Sequence, residues 1–165
     1  MLEVLEYPDP RLRLKATPVV AVNDDIKKIV ADMFDTLYGS ENCAGYAAIQ
    51  VNIQQQIIVI DISARKNEPL CLINPKILAT EGETNEPEGC MSLPDIYAPV
   101  KRAAWIKAIA LDQNGEPYDI ETDGFLASCI QHEIDHLNGI LLIDHLSKLK
   151  RAKINKTLRK MRKGK

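Results

Sequence analysis

Residues 132–136 read His-Glu-Ile-Asp-His, and no other stretch of the chain so narrows the folds open to it. On a helix, positions i and i+4 share a face one turn apart, so both imidazoles can reach one ion. Glu133, displaced around the helix, can then reach a water on that ion. The H-E-x-x-H pattern marks hydrolytic metal sites for this reason, with its glutamate as general base. The bland alternative is an exposed helical turn that happens to carry two histidines. Only three histidines occur in 165 residues, and two of them flank a glutamate at this spacing, which favours the metal reading.

A catalytic hydrolytic metal has three protein ligands and one open position, so the fold must bring a third ligand to this helix. One protease pattern, H-E-x-x-H-x-x-G-x-x-H, is followed through Gly139 but fails at Leu142, where its last histidine should stand. The remaining histidine, His145, reads as a helix-end residue near backbone carbonyls and is given no metal role. Upstream, Glu88-Gly89-Cys90-Met91-Ser92-Leu93-Pro94 offers a cysteine after a glycine. A lone cysteine is more often a small buried apolar residue, but a thiolate suits a borderline divalent ion. Beside the histidine pair, Cys90 becomes the expected third ligand.

With these segments in view the chain resembles a peptide deformylase of bacterial type, nearly end to end. The second family motif stands as Glu88-Gly89-Cys90-Met91-Ser92-Leu93 and the third as Gln131-His132-Glu133-Ile134-Asp135-His136-Leu137. The first reads Cys43-Ala44-Gly45-Tyr46-Ala47-Ala48-Ile49-Gln50, with Cys43 in place of the first glycine and Tyr46 in place of an aliphatic residue. The resemblance implies removal of the formyl group from the N-terminal formylmethionine of nascent polypeptides, with release of formate. It implies a divalent metal on Cys90, His132 and His136, ferrous iron being the native ion and zinc, nickel or cobalt its substitutes. Glu133 is the implied base; the Gln50 side-chain amide and the Met91 backbone N–H are the implied oxyanion donors. An oxidisable thiolate ligand makes Cys90 itself a point of inactivation.

The resemblance extends to substrate binding. The peptide is expected to add as a strand along the first motif and the Gly89 segment, where Gly45 and Gly89 permit close approach. A methionine pocket is implied around Ala44, Phe125, Ser128, Cys129 and His132; positions 125, 128, 129 and 132 share one helical face. For Phe125 and Cys129, plain core packing is the alternative. Glu88 is expected to pair with Arg102. Glu86 stands where many relatives carry an aliphatic pocket residue, and Tyr97 where bacterial relatives often carry a basic one. An altered pocket preference follows as the expectation.

Charge is unevenly spread. The net value is -2, yet ten of the 21 Lys and Arg residues fall between positions 148 and 165, which hold no acid, leaving 11 basic against 23 acidic side chains in residues 1–147. Leu146, Leu149, Ile154, Leu158 and Met161 give this tail one weak apolar stripe, so it reads as a basic helix continuous with a 1–147 catalytic domain. A solvated helix docked on an acidic body needs no partner. The resemblance implies instead that the helix meets ribosomal RNA phosphates, through Lys150, Arg151, Lys153, Arg159 and Lys160. No membrane partner is expected, and the chain is read as a monomer. The N-terminus lacks a signal peptide's basic start and apolar run, so a bacterial cytoplasm is expected. The four cysteines show no paired spacing, and reduced thiols are expected.

The coarse secondary-structure pattern predicts an α+β fold, with antiparallel strands around a central metal-binding helix, an N-terminal helix and the basic C-terminal one. Asn23 should cap a helix through Ile26, Ile29, Val30, Met33 and Leu37 to Gly39. Residues 56–60 and 70–73 read as buried strands, and 103–111 with 118–121 as a hairpin about Asn114-Gly115. Asp123 should cap the metal helix and Asn138-Gly139 should end it. Two rival functions remain: another metal-dependent amidase or peptidase, and a metal-binding, ribosome-associated relative with weak or altered activity. Turnover of an unformylated peptide would favour the first, and indifference to Glu133→Ala the second.

Overall fold

The computed structural model describes residues 1–163. Helix α1 spans Asp24–Gly39, and the Asn23 side chain accepts from the Ile26 N–H at 3.0 Å, as its cap position requires. Strand β1 (Gly45–Ala47) and a 3-10 turn at Ala48–Val51 carry the first motif. Then come β2 (Ile57–Ile60), β3 (Leu70–Glu81), β4 (Thr84–Cys90), β5 (Leu93–Arg102), β6 (Trp105–Leu111) and β7 (Pro117–Asp123). Helix α2 (Gly124–Leu137) holds the histidine pair, and α3 (Lys148–Lys163) closes the described chain. The strand pairs are antiparallel, in a five-stranded sheet ordered β1-β2-β3-β6-β7 and a separate β4-β5 ribbon. The fold class is therefore α+β.

The two faces of β2 explain why Ile57-Ile58-Val59-Ile60 is an unbroken apolar run. Ile57 and Val59 join Val30, Met33 and Leu37 of α1 in one core. Ile58 and Ile60 point the other way, into a second core with Ala127, Ile130 and Leu137 of α2. Side chains alternate across a strand, so a strand covered on both faces must be apolar at every position. The sheet thus fixes α2 against its inner strands and sets the histidine face by packing.

Three expectations about elements need correction. The strand begun at Leu70 does not stop at Ile73 but runs to Glu81, with a register break between Ile73 and Lys76. Asn74 sits there at φ +52°, its side chain bonded to both backbone groups of Val19, and Pro75 follows. The proline suggests a stop, but a bulge accommodates its missing N–H. Asp123 does stand at the start of α2, yet its side chain makes no capping hydrogen bond. The apolar stripe of the tail is also shorter than read. Ile154 and Leu158 pack beside Tyr7, Leu93 and Leu142, Leu146 lies before the helix, and Leu149 and Met161 are exposed.

Helix α2 ends as its sequence predicts. Asn138 follows the last turn, and Gly139 takes φ +74° with the Arg13 carbonyl oxygen 2.5 Å from where a Cβ would lie. Both the left-handed backbone and the close approach demand glycine. Gly139→Ala is expected to destabilise the protein by about 1–3 kcal/mol, from backbone strain with the added clash. Equilibrium urea denaturation would show it; an unchanged midpoint would remove this account of the helix end.

Candidate active site

Helix α2 presents His132 and His136 toward the turn after β4, where Cys90 pairs with Leu93 across the ribbon. The ring nitrogens Nε2 of the two histidines are 3.3 Å apart, and Cys90 Sγ lies 3.3 Å from His136 Nε2. All three donor atoms fall within 4.8 Å of one another. Tetrahedral bonds of about 2.0–2.3 Å to one ion would space such donors about 3.4–3.6 Å apart. The donor set and its spacing therefore fit a divalent metal, and the two imidazoles and one thiol suit iron or zinc chemistry.

The ring orientations have visible causes. His132 directs Nδ1 at Glu88 Oε1, 2.9 Å away, which leaves Nε2 for the cluster. Glu88 in turn receives two hydrogen bonds from Arg102, both 2.9 Å, as the sequence reading expects. Arg102 also donates to Asp135 at 2.6 Å, and Asp135 meets His145 Nε2 at 2.8 Å. His145 thus contacts a carboxylate rather than the carbonyls expected of it. Asp135 was not singled out from sequence, although its place between the histidines puts it on the flank of α2 that Arg102 reaches. Burial alone would raise the Glu88 carboxyl, but hydrogen bonds from His132 and Arg102 hold it at about 2.

Glu133 is 5% exposed, and its Oε1 has no hydrogen-bond partner. Burial pushes its pKa up to about 7, against the pull of His132. A buried carboxylate with a free lone pair, turned into an open cleft, is poised to take a proton. Burial drives His136 well below its ordinary range; His132 is raised despite burial by Glu133, Cys90 and Glu88.

Gln50 is held from both ends. Its Oε1 accepts from the Ala47 N–H at 2.9 Å, so its amide nitrogen faces Ser92 Oγ at 2.9 Å and Cys90 Sγ at 3.6 Å. Ser92 went unremarked in the sequence, and its contact with Gln50 needs the fold to be seen. The N-terminal segment braces both partners: the Leu5 N–H donates to the Gln50 carbonyl and the Tyr7 N–H to that of Ser92, each at 2.7 Å.

The cleft above this cluster is about 570 Å³ and is lined by Ala44, Gly45, Gly89, Met91, Tyr97, Phe125, Ser128 and Cys129 among others. The residues expected to bind the peptide and the methionine side chain all lie on it, whereas Gln50, expected at the formyl oxygen, is 1% exposed and does not line it. Phe125 is 62% exposed, which excludes core packing, whereas Cys129 both packs on the second core and lines the cleft. Glu86 is exposed but lies outside the lining, so it is not a pocket residue. Tyr46 also leaves the site. Fully buried, it crosses to α1 and donates its hydroxyl to the Met33 carbonyl at 2.7 Å, a contact no aliphatic residue could make. The glycines have internal reasons as well: a Cβ at Gly45 would meet Ile60 Cγ1 at 2.8 Å, and one at Gly89 the Tyr97 ring at 2.6 Å. Lys150, Arg151, Lys153, Arg159 and Lys160 are exposed on α3, away from this lining.

An α+β frame that seats an unpaired carboxylate beside a metal-fitting cluster, under an open cleft, defines a hydrolase. A sequence model of the polypeptide deformylase family matches residues 1–152. Over 160 residues the chain is 51% identical to a peptide deformylase of Nitrosococcus oceani and 49% identical to that of Tolumonas auensis, covering 97% of this chain and 95% of each relative. The crystal structure of a Legionella pneumophila peptide deformylase superposes with a TM-score of 0.93 at 40% identity, covering 99% of this chain and 96% of that one. An Ehrlichia chaffeensis peptide deformylase in complex with actinonin gives 0.92 at 36% identity, covering 98% and 97%. The chain belongs to the polypeptide deformylase family, metal-dependent hydrolases that remove the N-terminal formyl group.

Proposed function

We propose that this chain hydrolyses the formamide of N-formylmethionyl peptides, releasing formate and a free amino terminus. The observation that carries the reading is the buried, unpartnered Oε1 of Glu133, a residue that lines the cleft together with Cys90 and His132 of the Cys90, His132 and His136 cluster. A divalent ion held by these three side chains would supply a polarised, acidified water and a Lewis acid for the formyl oxygen. Glu133 takes the proton from the attacking water and returns it to the departing amine nitrogen. The Gln50 amide, already turned inward, and the Met91 N–H stabilise charge on the formyl oxygen. Ala44, Phe125, Ser128 and Cys129 receive the methionine side chain, while the backbone at Gly45 and Gly89 runs beside the peptide. Ferrous iron is the ion we infer, with zinc, nickel or cobalt able to replace it.

The test is formate release from formyl-Met-Ala-Ser by anaerobically prepared, iron-loaded protein, followed across pH. Activity should appear and rise with pH as Glu133 loses its proton, because the base works only when ionised. Bound cation favours the ionised form, so the rise in the loaded enzyme is expected below pH 7. No formate despite full metal occupancy would overturn the reading.

The remaining expectations are proposals of the same standing. Residues 148–163 are read as part of one domain with residues 1–147, since Ile154 and Leu158 pack on its core and the Tyr7 hydroxyl donates to Asn155 at 2.8 Å. The exposed cations of α3 are read as a ribosomal RNA contact, supported by a helix that carries no acid. We infer a monomer acting in a bacterial cytoplasm. No helix among the described residues is long and apolar enough to cross a membrane.

A further inference from the structure

Lysine seldom takes a left-handed backbone, yet Lys66 stands at φ +55° in the loop between β2 and β3. Its neighbours hold it there. Asp61, fully buried just after β2, accepts the Ser63 N–H at 2.9 Å and the Ser63 hydroxyl at 2.5 Å on one oxygen, the Tyr38 hydroxyl at 2.8 Å and the Glu68 N–H at 3.2 Å on the other. Ser63 Oγ in turn accepts the Asn67 N–H at 3.1 Å. Residues 61–68 are thus folded around one carboxylate that α1 braces through Tyr38. A strained residue persists only where its surroundings over-determine it, and such residues gather where strain has a use. Here the use is visible: Lys66 Nζ donates to the Cys43 carbonyl at 3.3 Å, while the Asp61 N–H donates to the Ala44 carbonyl at 2.8 Å. Cys43 and Ala44 line the cleft, and Lys66 and Asp61 do not. One loop outside the cleft therefore holds two consecutive carbonyls of its rim.

The rim leads straight into β1, the outermost strand of the sheet. Gly45 pairs with Ile60, and Ala44 turns its carbonyl to Asp61 across β2. Backbone groups alternate along a strand, so those of Gly45 face the open edge, where a peptide strand would add. Their aim depends on the residues just before them being held still. We propose, resting on the deformylase reading, that Lys66 is a positioning residue for peptide capture, which by holding the Cys43 carbonyl keeps the edge at Gly45 ready for the incoming chain. Asp61 serves Lys66 by fixing the loop that carries it. Pre-ordering of this kind lowers the cost of binding and leaves the reacting atoms untouched.

The test compares iron-loaded parent, Lys66→Met and Lys66→Arg on formyl-Met-Ala-Ser. Methionine keeps most of the side chain's length and removes the donor, whereas arginine can still reach a carbonyl with an N–H. A charged donor on one carbonyl is worth several-fold, so Lys66→Met should raise KM by about three- to tenfold, with kcat within about twofold of the parent and Lys66→Arg close to it in both. Lys66 is exposed, so urea midpoint and metal content should not move. Unchanged KM in Lys66→Met would overturn the proposal, as would a fall in kcat at constant KM or a failure of Lys66→Arg to restore KM. A lowered urea midpoint accompanying the KM change would overturn it too, by making Lys66 a residue of the fold alone. No formate from the parent would instead overturn the deformylase reading, and this proposal with it.

Discussion

Glu133→Gln is expected to lower kcat by about 10²- to 10⁴-fold, the range that a positioned base contributes, while bound metal stays stoichiometric. The substitution keeps the side chain's shape and removes only its capacity to accept a proton. Glu133 is not among the three clustered donors, so elemental analysis should find the same ion content. Stability should move the opposite way from activity. Burial raises the Glu133 pKa above its unfolded value, so the folded protein holds this proton more tightly than the unfolded chain. Its ionisation therefore destabilises the metal-free fold as pH rises from the ordinary carboxylate range through about 7. Above that pH, metal-free Glu133→Gln should be the more stable protein, a trade of stability for function at the reacting group. A variant that loses its metal along with its activity would show that Glu133 holds the ion rather than the proton.

Arg102→Met should be the most damaging change away from the reacting atoms. Its side chain is 5% exposed and sits between two carboxylates, Glu88 and Asp135. Removing it strands both in a partly dry environment, and breaking a buried pair from one side costs about 3–5 kcal/mol. The second effect is on the ion. Glu88 would lose the partner that aligns it with His132 Nδ1, and loosening such outer contacts typically weakens metal affinity by about 10- to 100-fold. Arg102→Lys should recover part of the stability but little of the alignment, because an ammonium cannot bond both Glu88 oxygens in one plane. Urea denaturation and competitive metal titration separate the two effects. Full stability with native affinity in Arg102→Met would mean that the Glu88 to Asp135 chain neither holds the fold nor orients the histidine.

The chemistry was more legible in the sequence than the architecture that surrounds it. Three donors and a base are residue types with few alternative uses at that spacing, so His132, Glu133, His136 and Cys90 declare themselves by chemistry. The β4-β5 ribbon did not. Its strands carry Pro87, Pro94 and Pro99, and both are edge strands of a two-stranded ribbon separate from the main sheet. Prolines tolerated at an edge look like breaks when read along the chain. Tyr46, in the first motif, shows that facing escapes a motif as well. Motif position suggests the site, whereas strand alternation turns its ring to the opposite face, toward the Met33 carbonyl. Contacts such as Gln50 to Ser92 and Asp135 to Arg102 join residues 42 and 33 positions apart, and no local pattern announces them.

Helix α3 has no buried residue and touches the core mainly through Ile154 and Leu158. Helix α2, by contrast, is clamped by the sheet along its whole length. Opening energies follow burial, so the two helices belong to different cooperative units. Backbone amides of residues 148–163 are expected to exchange with solvent through local fraying, and those around His132 only when the whole domain comes apart. The ribosomal contact proposed for the basic helix would therefore reshape or immobilise it without passing strain to the helix that carries His132 and His136.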